Sequence, residues 1–295
     1  MQHLHHSASG SFGSVLLTLI LLIIAITYLR GWLDLRSTSF RTSTSRAFSF
    51  VLGLFLIWIA IASPIATLDH ELLTAHMLQH LLLMTLAPPL IWLGEPVPPL
   101  LRGGLGILLT MIALAFHRPL RRLGRLLAQP QVCWLAATTV LMIWHVPAVF
   151  HLGMKSEALH MFEEGSFLIA GLMFWWPVVQ PWPSTSAPDL SIILYLFFAT
   201  IPCDILSGFL VFCDRVVYSS YLTSSHLFGF SALGDQQCAA ALMWTCVTIV
   251  YLVAGVILSM HLLSPQNYRE RVALDCDLRI YAFATPQNVE AVHGD

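Results

Sequence analysis

The chain predicts an all-α integral membrane protein, a bundle of seven transmembrane helices, on three observations. Hydrophobic residues make up 57% of the 295 residues and charged residues only 10%, against about 25% charged in soluble domains, and mean hydropathy is +0.76. Apolar runs of about 20 residues, the length needed to cross the hydrocarbon core, recur along most of the sequence. The basic residues cluster between those runs rather than inside them.

The first run, Ser14 to Leu29, follows a His-rich stretch without Lys or Arg and is closed by Arg30. It reads as a retained span and not as a cleavable signal, which would carry its positive charge in front. Ala47 to Ala66 and Leu72 to Leu93 follow as spans two and three. Pro130 to Phe150, Glu157 to Val179, Leu190 to Phe212 and Asp235 to Leu262 complete the seven. The run Gly104 to Phe116 is apolar but short for a crossing, so it reads as an interfacial or re-entrant segment. Residues 1–13 form a His-rich tail, 14–262 the membrane domain and 263–295 a polar tail.

Basic residues favour cytoplasmic loops, and this fixes an orientation. Arg30, Arg36, Arg41 and Arg46 lie between spans one and two. Arg102, Arg118, Arg121, Arg122 and Arg125 lie between three and four, and Arg269, Arg271 and Arg279 follow span seven. Seven crossings put all three groups on one side, leaving only Lys155 and Arg215 opposite. The N-terminus is then exterior and the C-terminus cytoplasmic, whereas counting Gly104 to Phe116 as a crossing would split the clusters. A net charge of -2 and short arginine clusters argue against a nucleic-acid partner.

With this topology the unusual polar residues collect at the exterior face. His70, His76, Met77 and His80 begin span three; His145 ends span four, and His151 and Met154 follow it. His160, Met161, Glu163 and Glu164 begin span five. Cys203, Asp204, Cys213, Asp214 and His226 lie in or beyond the outer part of span six, and Asp235, Gln236, Gln237 and Cys238 open span seven. His3, His5 and His6 lie on the same side. Ionisable groups at membrane depth are expensive and mark functional sites by default. His76 and His80, four apart, share one helical face, as do His160, Glu163 and Glu164 at i, i+3 and i+4.

Imidazole, thioether and thiol donors suit copper, with sulfur favouring Cu(I); the histidines and carboxylates suit zinc equally well. Each element also has a plainer reading. The two histidines of span three read equally as a polar seam between helices, and Met77 and Met84 as ordinary packing. Trp144 and His145 before Pro147 read as an interfacial anchor at a helix end, and Asp235 as a cap on span seven. Six cysteines show no CxxC spacing. Ten helical residues separate Cys203 from Cys213 by about 15 Å, beyond disulfide reach, which leaves Cys213 with Cys238 as the preferred pair in an oxidising exterior.

Ser63-Pro64, His76-Met-Leu-Gln-His80, Ala87-Pro-Pro89 with Leu93-Gly94, Trp144-His145-Val-Pro147, Ser166-Phe167 through Phe174-Trp-Trp-Pro177, and Asp235-Gln-Gln237 with Met243-Trp244 occur in this order. Over about Ser63 to Leu258 the chain resembles the cytochrome c oxidase assembly family of the CtaG, caa(3) type. The resemblance implies a non-enzymatic, multi-pass protein of the bacterial inner membrane. It further implies transient copper delivery to the catalytic subunit of a haem-copper oxidase, with a soluble exterior copper donor as a second partner. Carried over by motif position, His76, Met77, His80 and His145 come first as metal ligands, then His160 and Asp235. Where that family leads one to expect Glu-His in span five, this chain has Glu163-Glu164, a departure that either hardens the site toward oxygen ligands or makes it an acidic structural site, and that weakens the case for copper. Three other classes compete. They are a copper transporter using midplane sulfur at Met84, Cys133 and Cys246, a haem-binding redox protein, and a metal-free scaffold.

Overall fold

The computed structural model describes residues 3–37, 43–105, 129–179, 190–222, 229 and 231–263, and the described residues are helical with no strand. The helices are α1 (His3–Ser37), α2 (Thr44–Ala62), α3 (Leu73–Leu81), α4 (Ala87–Leu93) and α5 (Val97–Leu100). After these come α6 (Pro130–Trp144), α7 (Pro147–Lys155), α8 (Glu157–Val179), α9 (Leu190–Phe212) and α10 (Ala232–Leu262). Most of the Gly104 to Phe116 segment, the polar tail and His226 lie outside the described residues.

Five helical stretches are long and apolar enough to cross a membrane: Gly13–Ser37, Thr44–Ala62, Leu73–Leu93, Leu190–Phe212 and Ala232–Met260. The pair α6 and α7, bent by 76°, makes a sixth if it is one broken span. The remaining expected crossing, span five (α8), has the anticipated bounds and 23 residues but carries Glu157, Glu163 and Glu164, and is not among them. The expected span Pro130 to Phe150 is broken at His145 and Val146, beside the helix end read at Pro147. Pro147 has no N–H to continue the helix and disfavours helical geometry in the residue before it; Val146 is accordingly extended (φ -66, ψ 123).

Leu73–Leu93 runs as one candidate span, with a π-helical turn at Leu82–Leu86 joining α3 to α4. Pro88 follows this turn and lacks the N–H that would bond the Met84 carbonyl in a regular helix. Trp175 Nε1 of α8 donates to that carbonyl instead (3.2 Å). This approach requires Gly171: a Cβ there would lie 2.7 Å from Met84 Cα and from its carbonyl oxygen. Tyr195 Oη likewise donates to the Phe174 carbonyl (2.9 Å) and Trp92 Nε1 to that of Leu172 (2.8 Å). Such cross-helix bonds and close packing hold membrane bundles together, since lipid tails supply no hydrophobic drive between helices. The core around them includes Phe167, Phe174, Trp175, Tyr195 and Tyr251, while Phe197, Ile205, Phe209, Ile249 and Leu252 point outward.

The two ends of the bundle differ. At one end the C-terminus of α1 meets the start of α2 and the end of α4. There Tyr28 Oη donates to the Gly94 carbonyl (2.7 Å), Arg46 pairs with Glu95 (3.0 Å) and Arg102 with Asp34 (3.4 Å). At the other end the α2–α3 turn, the α6–α7 corner, the start of α8, the α9–α10 connection and the start of α10 converge. Cys213 and Cys238 are both free thiols, so the expected bridge is not formed; Cys238 faces outward from α10, whereas Cys213 follows α9 and is half-buried.

Candidate metal centre

The second end encloses a cluster of buried imidazoles and carboxylates. α3 supplies His76 and His80, whose four-residue spacing brings their ring centroids to 4.3 Å. α8 supplies His160, Glu163 and Glu164 from the facing side. Glu163 Oε1 lies 3.5 Å from His76 Nε2 and 3.4 Å from His80 Nε2, and Glu163 Oε2 lies 3.5 Å from His160 Nδ1. Asp69, in the turn before α3, adds a carboxylate oxygen 2.8 Å from His160 Nε2, and Glu164 Oε1 is 3.8 Å from the same nitrogen. His76 and Glu163 are fully buried.

Two overlapping triads can each hold an ion, Asp69/His76/His160 and His76/His80/Glu163, with ligand atoms within 4.8 Å of one another. Donors around a tetrahedral zinc-type ion at 2.0–2.1 Å stand about 3.3 Å apart, close to the Glu163 separations. Those separations are also longer than ordinary hydrogen bonds. Neither ring nitrogen of His76 or His80, nor either oxygen of Glu163, has an aligned hydrogen-bond partner, whereas His160 Nε2 is held by the Asp69 carboxylate (2.8 Å). Buried polar atoms are normally satisfied, so a group of orphaned donors converging from two helices fits a cation.

Other contacts position this group. His145, at the α6–α7 corner, directs Nδ1 to the Leu141 carbonyl (2.7 Å) and leaves Nε2 buried without a partner. That bond fixes the tautomer whose Nε2 lone pair is free to ligate. Its ring centroid is 6.2 Å from that of His80. Phe167 stacks on His80 at 3.9 Å and meets His145 edge-on at 6.4 Å. Gly153 of α7 stands against Glu163, where a Cβ would come within 3.0 Å of Oε2. Trp144 Nε1 donates to Ser166 Oγ, which donates to the Glu163 carbonyl.

A cap from the α9–α10 connection covers the cluster. Tyr218 Oη donates to the His145 carbonyl (3.2 Å), and Tyr221 Oη donates to the Asp69 carbonyl. Both rings pack on Phe150, and burial pushes both phenols up, keeping them as donors. At Asp69 burial acts to raise the carboxyl, but the His160 contact together with His70 and His76 prevails and holds it below the usual carboxylate range. Asp69 also accepts the His70 backbone N–H (2.7 Å) and leads to His70, which is exposed.

Of the residues singled out in the sequence, His76, His80, His160 and Glu163 come together, with Glu164 and His145 beside them. Met77 is buried in a satellite apolar cluster with Leu73, Phe150 and Tyr218. Asp235 stands elsewhere, and neither reading of it anticipated its partner. Its carboxylate accepts the N–H groups of Leu73 (2.7 Å) and Thr74 (3.1 Å) and the Thr74 hydroxyl (2.6 Å). It thus caps α3 from α10, while Ser231 Oγ caps α10 by accepting the Gly234 N–H. Asp69 was missed; its only signal was an acidic residue beside His70 on the same side of the membrane.

Fold and site together define a polytopic helical membrane protein with a buried histidine–carboxylate centre at one end of its bundle. Residues 26–264 match the family model of the cytochrome c oxidase caa3 assembly factor (Caa3_CtaG). The chain belongs to that family, which supports a role in oxidase assembly and suggests a non-catalytic one. No curated protein and no solved structure showed a significant match.

Proposed function

We propose that this protein supports the maturation of a haem-copper oxidase by holding copper at the His76/His80/Glu163 and Asp69/His76/His160 triads and presenting it to the catalytic subunit. The observation that carries this reading is the convergence of orphaned ring nitrogens on a buried carboxylate at ion-sized separations. Copper is cargo here, exchanged between ligand sets and not turned over. Overlapping triads favour exchange, because His76 can belong to the incoming and the outgoing coordination shell. Asp69 and the exposed His70 give the centre its link to the surface, where a soluble donor docks.

The same reading takes α8 as a crossing, for seven in all. Its 23 residues span about 34 Å, and its carboxylates are masked by the histidines of α3. Lys155 and Arg215 lie at the end that holds the cluster; Arg36, Arg46 and Arg102 lie at the other. By the bias of basic residues toward the cytoplasm, the cluster faces the exterior of a bacterial inner membrane, the N-terminus is outside and the C-terminus inside.

The test is the oxidase made in cells that carry His76→Ala or His80→Ala. Its catalytic subunit is synthesised and inserted at normal levels but contains less copper. Full copper occupancy in both strains would overturn copper delivery through this pair.

A further inference from the structure

Beneath the cluster, toward the middle of the bundle, lies a cavity of about 40 Å³ whose lining includes His80, His145, Met77, Met84, Cys203 and Met243. It exceeds the space one water centre needs. Its polar lining is unusual in two ways. His80 and His145 bring buried ring nitrogens without hydrogen-bond partners, and His145 is locked with Nε2 as the free atom. Four sulfur atoms join them, from Met77 of α3, Met84 of the π-helical turn, Cys203 of α9 and Met243 of α10, beside the hydroxyl-bearing Thr85, Thr138 and Tyr251. Cys133 and Cys246, the midplane thiols expected from the sequence, do not line it.

We propose that this chamber is a second metal site, selective for a soft monovalent cation, Cu(I). The donor types argue for softness, since thioether and thiol favour Cu(I) over harder divalent ions. Charge argues for the same ion. Three carboxylates, Asp69, Glu163 and Glu164, surround the upper cluster and offset a divalent cation, whereas no carboxylate lines the chamber. Burying charge in the membrane without a counter-charge is costly, and a single positive charge is the least costly to place there. Glu163, 3.4 Å from His80 Nε2 on the cluster side, supplies a counter-charge next to the chamber's lining.

His80 belongs to both sites: Nε2 faces Glu163, and the ring also lines the chamber. A cuprous ion passes between them by ligand exchange, a nitrogen or oxygen bond breaking as a sulfur bond forms, with no change of oxidation state. This transfer rests on the proposed role of the upper cluster; the chamber does not.

The test uses the full-length protein in detergent, with Zn(II) alone and Cu(I) alone, read by binding stoichiometry and X-ray absorption. Wild type takes up Cu(I) with sulfur in its first shell and Zn(II) with nitrogen and oxygen only. Met84→Leu/Met243→Leu/Cys203→Ala weakens Cu(I) binding at least tenfold, removes the sulfur signal and leaves Zn(II) binding unchanged. Should that variant fail to fold, the near-isosteric Met84→Leu/Met243→Leu protein is read by the same criterion. His76→Ala/Glu163→Gln loses Zn(II) and keeps sulfur-bound Cu(I). Cu(I) bound only through nitrogen and oxygen, or a sulfur signal unchanged in the folded variants, overturns the chamber while leaving the cluster standing. Sulfur-bound Cu(I) without Zn(II) binding in wild type overturns the cluster and leaves the chamber.

Discussion

Buried polar residues at the cluster end fall into two chemical kinds. Asp235 is spent on backbone and hydroxyl donors of α3, so Asp235→Ala removes a helix cap. It lowers stability by about 1–2 kcal/mol, read as a fall in the detergent unfolding midpoint, and the folded protein keeps its metal stoichiometry; loss of metal at full stability would contradict this division. Glu163, with both oxygens free of hydrogen bonds and facing three imidazoles, is the opposite case. Glu163→Gln keeps the volume and removes the charge, weakening Zn(II) or Cu(I) binding at the cluster by at least about tenfold in competition titrations with a chelator. The sequence exposes His76, His80, His160 and Glu163 because helical spacing and membrane depth are both visible in it. Asp69 is invisible by the same logic: it sits in a turn without periodicity, and its approach to His160 depends on how the turn before α3 meets α8.

Helix ends and irregular turns place these residues. Two of the expected runs, Glu157 to Val179 and Leu190 to Phe212, have the bounds of α8 and α9 because each is a single unbroken helix. Within the fourth run Pro147 marks a helix end in the sequence, but the 76° bend and the short helix beyond it are not legible there, since hydropathy passes smoothly through a bend that backbone chemistry enforces. That bend swings His145 beside His80. Nor could composition show the π-helical turn, or Gly171 as the point where α8 touches it. Gly171→Ala forces a Cβ within 2.7 Å of the Met84 backbone, where nothing flexible can yield. The expected cost is about 1–3 kcal/mol with metal affinity reduced in parallel, because α8 carries Glu163 and His160 against α3. Unfolding and metal titration of one preparation check both, and an unchanged midpoint would show that the helices separate freely there.

Across the whole molecule, charge and chemistry are polarised. Asp34, Arg46, Glu95 and Arg102 pair at one end, and the histidine–carboxylate centre occupies the other under its tyrosine cap. Single cysteines placed at Lys155 or Arg215 are expected to react with an impermeant thiol reagent in intact cells above the background of the native cysteines, and one at Arg46 only after lysis. The reverse pattern would turn the cluster toward the cytoplasm and remove the basis for exterior delivery. Exterior presentation and ligand exchange both require that the buried cluster bind metal. The decisive measurement is the metal content of the purified protein after loading with Zn(II) or Cu(I), comparing wild type with a His76→Ala/His80→Ala variant shown to be helical and monodisperse. Stoichiometric metal in wild type, lost from the cluster in the folded variant, is the predicted result; equal metal in both, or none in either, would contradict it.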